Sequence, residues 1–271
     1  MPKEDKAPVI AGRPTIHPYR HAAAQIRSRL AWDLRLESWR SRSKLKKQRN
    51  QHRGKKGVIL CNGPSLNDVD FDLLKSAQND VVVIGLNKVN LLFERTALRP
   101  DLIVCMNRYP LEQNAEFYNS TEIPLYLSTD GLKSVPSRKN IAYLHSSSQR
   151  KFARDVSFSI NVGYTVTFTA MQIAFHLGIL DLALVGCDHS FSTKGPSNMA
   201  VESGKKDESH FDPRYFSGGM KWQLPDLAAS EYHYSMAREV YSESGGQITN
   251  CTEGGELEIF QRQSLDAWLA S

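Results

Sequence analysis

The sequence predicts an α/β fold: a mostly parallel sheet with helices on both faces. Three observations predict it. Short continuous apolar runs recur from residue 57 onward, at Val58–Cys61, Val81–Leu86, Leu102–Met106, Leu125–Ser128, Ile141–Leu144 and Leu182–Gly186. Helical patterns separate them, at Asp70–Ser76, Leu111–Tyr118, Thr165–Leu177 and Ala228–Ser244. Unbroken apolar strands alternating with helices imply parallel pairing, because each crossover helix covers a sheet face. Finally, the first strand runs into Cys61-Asn62-Gly63-Pro64-Ser65, a sharp turn that leaves N–H groups and small polar side chains at the strand's carboxyl end. In open α/β sheets that edge is where phosphorylated ligands bind.

Residues 1–18, with Pro2, Pro8, Pro14 and Pro18, are expected to be extended or disordered. Residues 19–53 carry a helical pattern in which Ile26, Leu30, Leu34 and Trp39 form an apolar stripe among arginines and lysines. Two readings stand side by side: a basic amphipathic helix lying on anionic lipid or a partner, and a solvated helix packing its stripe on the domain. Residues 1–56 hold 16 of the 34 Lys+Arg and 4 of the 29 Asp+Glu, so the rest of the chain is acidic. That asymmetry, with no base-stacking module, argues against nucleic-acid binding.

Residues 54–271 form the expected catalytic domain, and a chain that is 41% hydrophobic overall supports a substantial core. No apolar run approaches the roughly 18 residues that span a bilayer. The charged start Met1–Lys6 lacks the apolar core of a secretion signal. Cys61, Cys105, Cys187 and Cys251 have no CxxC spacing, so neither a zinc site nor a disulfide framework is indicated. A cytoplasmic setting is the default.

The Asn62-Gly63-Pro64-Ser65 turn matches neither GxGxxG nor the GxxxxGK[ST] phosphate loop, and alone it is also ordinary turn chemistry. The next two strands change its weight, because they too end at asparagines, Asn87 and Asn107. Three carboxamides at successive strand ends would converge on one crevice, each with a donor and an acceptor for a base, ribose or phosphate. In the second half, Gly163 permits close backbone approach, and Thr165 or Thr167 can cap the helix that follows and bind an anion there. The strand Leu182–Gly186 leads to Asp188, placed either to orient a substrate group or to cap a turn. Lys194–Glu208 reads as a mobile loop within a lid of about residues 190–225. His210, with Asp188, Arg214 and Tyr215 nearby in sequence, is the candidate general base.

In order and spacing these residues, Asn62-Gly63-Pro64-Ser65, Asn87, Asn107, Gly163-x-Thr165, Gly186-x-Asp188 and Ser209-His210-Phe211, resemble two related groups. One is the 6-hydroxymethylpterin diphosphokinase MptE-like family, which includes the bacterial motility accessory factors. The other is the bacterial sialyltransferases that use CMP-activated sialic acid. The resemblance runs from about Val58 to Phe260 and is closer to the MptE-like group. The sialyltransferase likeness implies a Rossmann-like domain of the GT-A variant type with a small lid. It also implies nucleotide contacts from Asn62, Ser65, Asn87, Asn107 and Thr165, with His210 deprotonating an acceptor hydroxyl. Such catalysis needs no metal, since tyrosine hydroxyls and backbone N–H groups receive the departing phosphate. One position departs: where the sialyltransferases carry a tyrosine two residues after the aspartate, this chain has Ser190. Either Tyr215 substitutes or the leaving group differs.

The leading expectation is therefore a glycosyltransferase using a CMP-linked nonulosonic acid in surface polysaccharide or glycoprotein assembly, with no cofactor. Its partners would be the nucleotide sugar, a glycan or glycoprotein acceptor and an anionic membrane surface at the inner face of the cytoplasmic membrane. The oligomeric state is open. The runner-up is diphosphate transfer from ATP to a pterin-like alcohol, which would call for Mg²⁺ held by Asp188, or less favourably by Asp130, Asp207 or Asp212. A third reading is a catalytically silent nucleotide-sugar sensor.

Overall fold

The computed structural model describes residues 17–190, 199–202, 204, 206–216 and 218–271. Residues 1–16 of the expected arm at residues 1–18, and much of the expected mobile loop, lie outside them, while Pro18 opens the first helix. The chain divides into two compact units at the Arg35–Leu36 boundary. The first contains α1 (Pro18–Asp33), and its apolar stripe is open to solvent: Ile26 is 60%, Leu30 55% and Leu34 84% exposed.

The second unit begins with α2 (Leu36–Gln48), so the single expected N-terminal helix is two. No glycine or proline marks the break; the ladder closes with Leu34 donating to Leu30 O and Arg35 to Trp32 O. α2 packs against the sheet domain. Tyr143 donates its N–H to Ser41 Oγ (3.0 Å), and His176 Nε2 donates to Leu45 O (2.9 Å).

The elements that follow are β1 (Lys56–Leu60), α3 (Phe71–Ser76), β2 (Val81–Leu86), β3 (Leu102–Cys105), α4 (Arg108–Gln113), α5 (Ala115–Ser120), β4 (Leu125–Ser128) and β5 (Ile141–Leu144). Then come α6 (Val166–His176), β6 (Asp181–Val185), β7 (Ala200–Glu202), β8 (Lys221–Gln223), α7 (Leu227–Glu243), β9 (Gln247–Asn250), β10 (Gln261–Arg262) and α8 (Leu265–Ala270). Eight strands form one sheet in the order β10-β9-β6-β1-β2-β3-β4-β5, every pair parallel. The α/β, mostly parallel reading holds. All six expected strands are present within a residue or two of their bounds. The expected helix Leu111–Tyr118 is instead α4 and α5, divided where Asn114 leaves helical geometry at ψ 18°. Sequence reading missed β9 and β10, and the antiparallel pair β7–β8 inside the expected lid.

β1 sits centrally, with β2 on one side and β6 on the other. The chain winds one way from β1 through β5, then crosses back to β6. That reversal places the switch point between the carboxyl ends of β1 and β6, where a parallel sheet opens a crevice. The core gathers on this centre: Val58, Ile59, Leu60 and all of β2 are buried, and α6 is buried along almost its whole length.

α2 is tied to the end of α6 by a histidine held neutral. Burial pushes the His176 pKa down, against an opposing pull from Asp155, and burial also lowers His52. For a histidine depressed on folding, the stability contribution is whole above the unfolded value of about 6.5 and drains as pH falls below it. The urea midpoint should therefore drop between pH 7.5 and 5.5, and His176→Gln should make that dependence shallower. An unchanged slope in the variant would remove His176 from the acid response.

Candidate active site

Two strand-end turns interlock at the switch point. Cys61 donates its N–H to Val185 O and Gly63 to Gly186 O, each at 2.9 Å. Ser65 donates its N–H to both Asp188 carboxylate oxygens (3.3 Å) and its hydroxyl to Oδ2 (2.8 Å). A Cβ on Gly63 would stand 1.9 Å from Asp188 Oδ2, so only glycine fits between them. Asp188 thus binds the β1 turn across the crevice, a contact different from a cap on its own following turn.

Above this floor opens a cavity of about 230 Å³. Asn62, Gly63, Asn87, Asn107, Thr165, Asp188, His210 and Tyr215 all line it; of the expected site residues, Pro64, Ser65 and Gly163 do not. Asn62 Oδ1 and Asn87 Oδ1 are buried with no hydrogen-bond partner among the described residues. Asn107 is different: its Oδ1 caps α4 by accepting from Tyr109 N at 2.9 Å. Thr165 caps α6, accepting from Thr167 N (3.3 Å), and its hydroxyl lies 3.4 Å from Tyr234 Oη. On the floor, contact with Cys187 and burial hold the Cys61 thiol well above its ordinary range. The Cys61 thiol is therefore neutral and non-nucleophilic.

One wall is the segment from Asp207 to Phe216, fastened to the turns after β1 and β2. Phe211 donates its N–H to Asn62 O (3.0 Å) and accepts at its carbonyl from Asn67 Nδ2 (3.0 Å). Arg214 pairs with Asp212 (2.9 Å) and Glu94 (3.0 Å). Lys88 is buried and donates Nζ to Tyr215 O at 2.6 Å. Burial brings its pKa down to about 8, against the raising effect of Asp207.

This wall holds His210 by three devices. Its Nδ1 lies 2.8 Å from Asp207 Oδ2. Its ring stacks on Tyr215, with centroids 4.1 Å apart and planes within 2°, and meets the edge of Phe216 at 5.2 Å. Asp207 is fixed in turn by N–H groups of Ser209 (2.8 Å) and Phe216 (3.0 Å). Burial works against its charge, but the hydrogen bond from His210 and those N–H groups hold its carboxyl below the usual range. With Nδ1 donated to Asp207, Nε2 is the nitrogen that takes a proton. Burial drives the Tyr215 phenol far up, against a smaller pull from the nearby Asn87 carboxamide. The hydroxyl has no hydrogen-bond partner among the described residues.

Sequence reasoning missed the roles of Asp207, Lys88 and His189. Asp207 stood three residues before His210, a legible spacing for a bridge across one turn, but was weighed only as a metal ligand. His189, directly after Asp188, also lines the cavity and lies 3.0 Å from Glu231 Oε1. Among the described residues no three His, Cys, Asp or Glu side chains are grouped to hold a metal.

A family model described as 6-hydroxymethylpterin diphosphokinase MptE-like matches residues 35–194. No curated protein matches. A solved structure, the MAf glycosyltransferase from Magnetospirillum magneticum AMB-1, overlays on 85% of this chain and 39% of its own, at 16% identity and a TM-score of 0.49. The present chain thus spans well under half of that protein's length.

The Gly63–Asp188 contact is open to a direct test. Gly63→Ala should force Asp188 off Ser65 and cost about 1–3 kcal/mol, the usual range for overpacking. Thermal unfolding would read this as a fall of about 2–10 °C for a domain of this size. A variant as stable as the parent would show that the two turns are not interlocked.

Proposed function

The chain belongs to the MptE-like family, whose model spans more than half of its length, and on that footing we propose that it is a metal-independent glycosyltransferase. The donor is a nucleotide-activated sugar, a CMP-linked nonulosonic acid by the site's resemblance to the sialyltransferases. One observation carries the reading: a carboxylate-held imidazole lines the same cavity as Asn62 and Asn87, whose buried carboxamide oxygens have no partner among the described residues. Buried acceptors without partners among the described residues are costly, and a ligand with N–H or O–H donors, as a nucleoside has, would satisfy them.

In this mechanism Asn62 and Asn87 accept hydrogen bonds from the nucleoside. His210 Nε2 removes the proton of the acceptor hydroxyl as its oxygen bonds to the anomeric carbon. The bond from that carbon to the phosphate oxygen breaks, and the nucleotide leaves with the electron pair. The Tyr215 hydroxyl, a neutral donor with no partner among the described residues, would meet the charge that develops. Asp207 keeps His210 in the tautomer that accepts at Nε2 and stabilises the imidazolium that forms.

The family's description also names diphosphate transfer, which calls for Mg²⁺ on carboxylates. The acids near this cavity do not fit that task. Asp188 is engaged by Ser65, Asp207 by His210 and two N–H groups, and Asp212 by Arg214. We derive no step through a metal.

Cytidine monophosphate at about 100 times its dissociation constant should stabilise the protein by roughly 2.7 kcal/mol without Mg²⁺. Stabilisation by ATP with Mg²⁺ alone would instead favour diphosphate transfer. In a transfer assay, His210→Ala should lose at least about 100-fold in kcat, the scale of general-base catalysis. A fully active variant, or activity abolished by EDTA, would refute the mechanism.

A further inference from the structure

Strained backbone gathers at the cavity. Among the described residues four non-glycine residues have left-handed backbone: Asn50, Asn87, Tyr164 and His189. Three of them line the cavity, and such strain persists where surrounding structure enforces it, often at ligand sites. Tyr164 is the least expected. Asparagine tolerates this region, whereas a bulky ring gains nothing from it.

The local geometry shows what enforces it. Gly163 also has positive φ (61°), and a Cβ there would stand 2.3 Å from the Phe168 ring, so the chain must turn close over α6. Thr165 then caps the helix. Between them Tyr164, at φ 64°, is thrust outward with 49% of its surface exposed. Its ring meets His233 at 5.8 Å, tilted by 51°, and His233 rests edge-on against Phe168 at 5.1 Å. The tyrosine is thus braced from behind and open in front. The strained turn thus holds a half-exposed ring at the cavity, open to contact with a ligand.

The same cavity is lined by apolar Leu224, Pro225 and Leu227 and by polar Ser230 and His189. Pyranose rings present one apolar C–H face and a rim of hydroxyls, which suits an aromatic face flanked by short polar groups. We propose that Tyr164 is the stacking platform of an acceptor subsite that takes a pyranose ring. There the ring lies on Tyr164 and a hydroxyl reaches toward His210 on the other wall. The role as acceptor rests on the glycosyl-transfer reading; the binding of a sugar ring does not.

Saturation-transfer NMR on the whole chain tests it, with methyl β-D-galactopyranoside and methyl N-acetyl-β-D-glucosaminide as millimolar probes. At least one probe should receive saturation on its ring C–H protons in the parent and in Tyr164→Phe. The effect should fall about threefold or more in Tyr164→Ala and Tyr164→Gly, the lower end of what one aromatic contact contributes. Tyr164→Gly relieves the strain, so its Tm should equal or exceed the parent's. Nucleotide-induced stabilisation should be unchanged in all three variants. Transfer to neither probe in the parent, equal transfer in Tyr164→Ala, or a glycine variant that is less stable would each overturn the subsite. If no nucleotide stabilises the parent, the transferase reading falls, while the sugar signal still reports on Tyr164.

Discussion

The geometry of the whole site depends on a carboxylate lodged between two strand-end turns. Asp188 reaches from β6 to Ser65 after β1, and the absence of a side chain at Gly63 lets it do so. Adjacent parallel strands already fix the separation of their ends. The Asp188 bridge goes further and fixes the direction in which the two chains leave the sheet. Everything placed by those turns inherits that direction: Asn62, whose carbonyl docks Phe211, and His189, which turns its imidazole toward α7.

The wall that carries His210 is assembled differently. It has no strand ladder of its own between Asp207 and Phe216, and it is held by single contacts to the turns beneath it. A buried lysine, a side-chain amide and an arginine between two carboxylates share that task. The imidazole within it is nevertheless over-determined, by a carboxylate on one edge and aromatic rings on a face and another edge. An imidazole held this way needs little reorganisation to accept a proton, which is where preorganised polar groups contribute most.

Much of this was legible in the sequence. The buried strands announced themselves as apolar runs because both of their faces are covered, and the asparagines at their ends marked the crevice. What stayed hidden has physical reasons. β9 and β10 are short and carry polar residues such as Gln247, Asn250, Gln261 and Arg262, so no apolar run betrays them. The break between α1 and α2 contains neither glycine nor proline. Asn107 looked identical to Asn62 and Asn87, but its oxygen caps a helix, a distinction that only coordinates reveal. Asp207 was visible as a carboxylate; that it faces His210 depends on how one irregular segment folds over β2. Left-handed backbone at Tyr164 and His189 leaves no signature in residue type.

The cavity draws its lining from Cys61 through Tyr234. Its floor is set by the first and sixth strands, and one wall waits for α7. Such a centre has no local precursor: contacts of large sequence separation must close before any part of it exists, which slows folding of parallel sheets. During synthesis, an emerging chain that has completed β1 to β5 holds a sheet without this cavity, and its unpaired β1 edge stays open to mispairing until β6 arrives. Ligand can therefore stabilise only the finished domain, and no excised half should retain affinity.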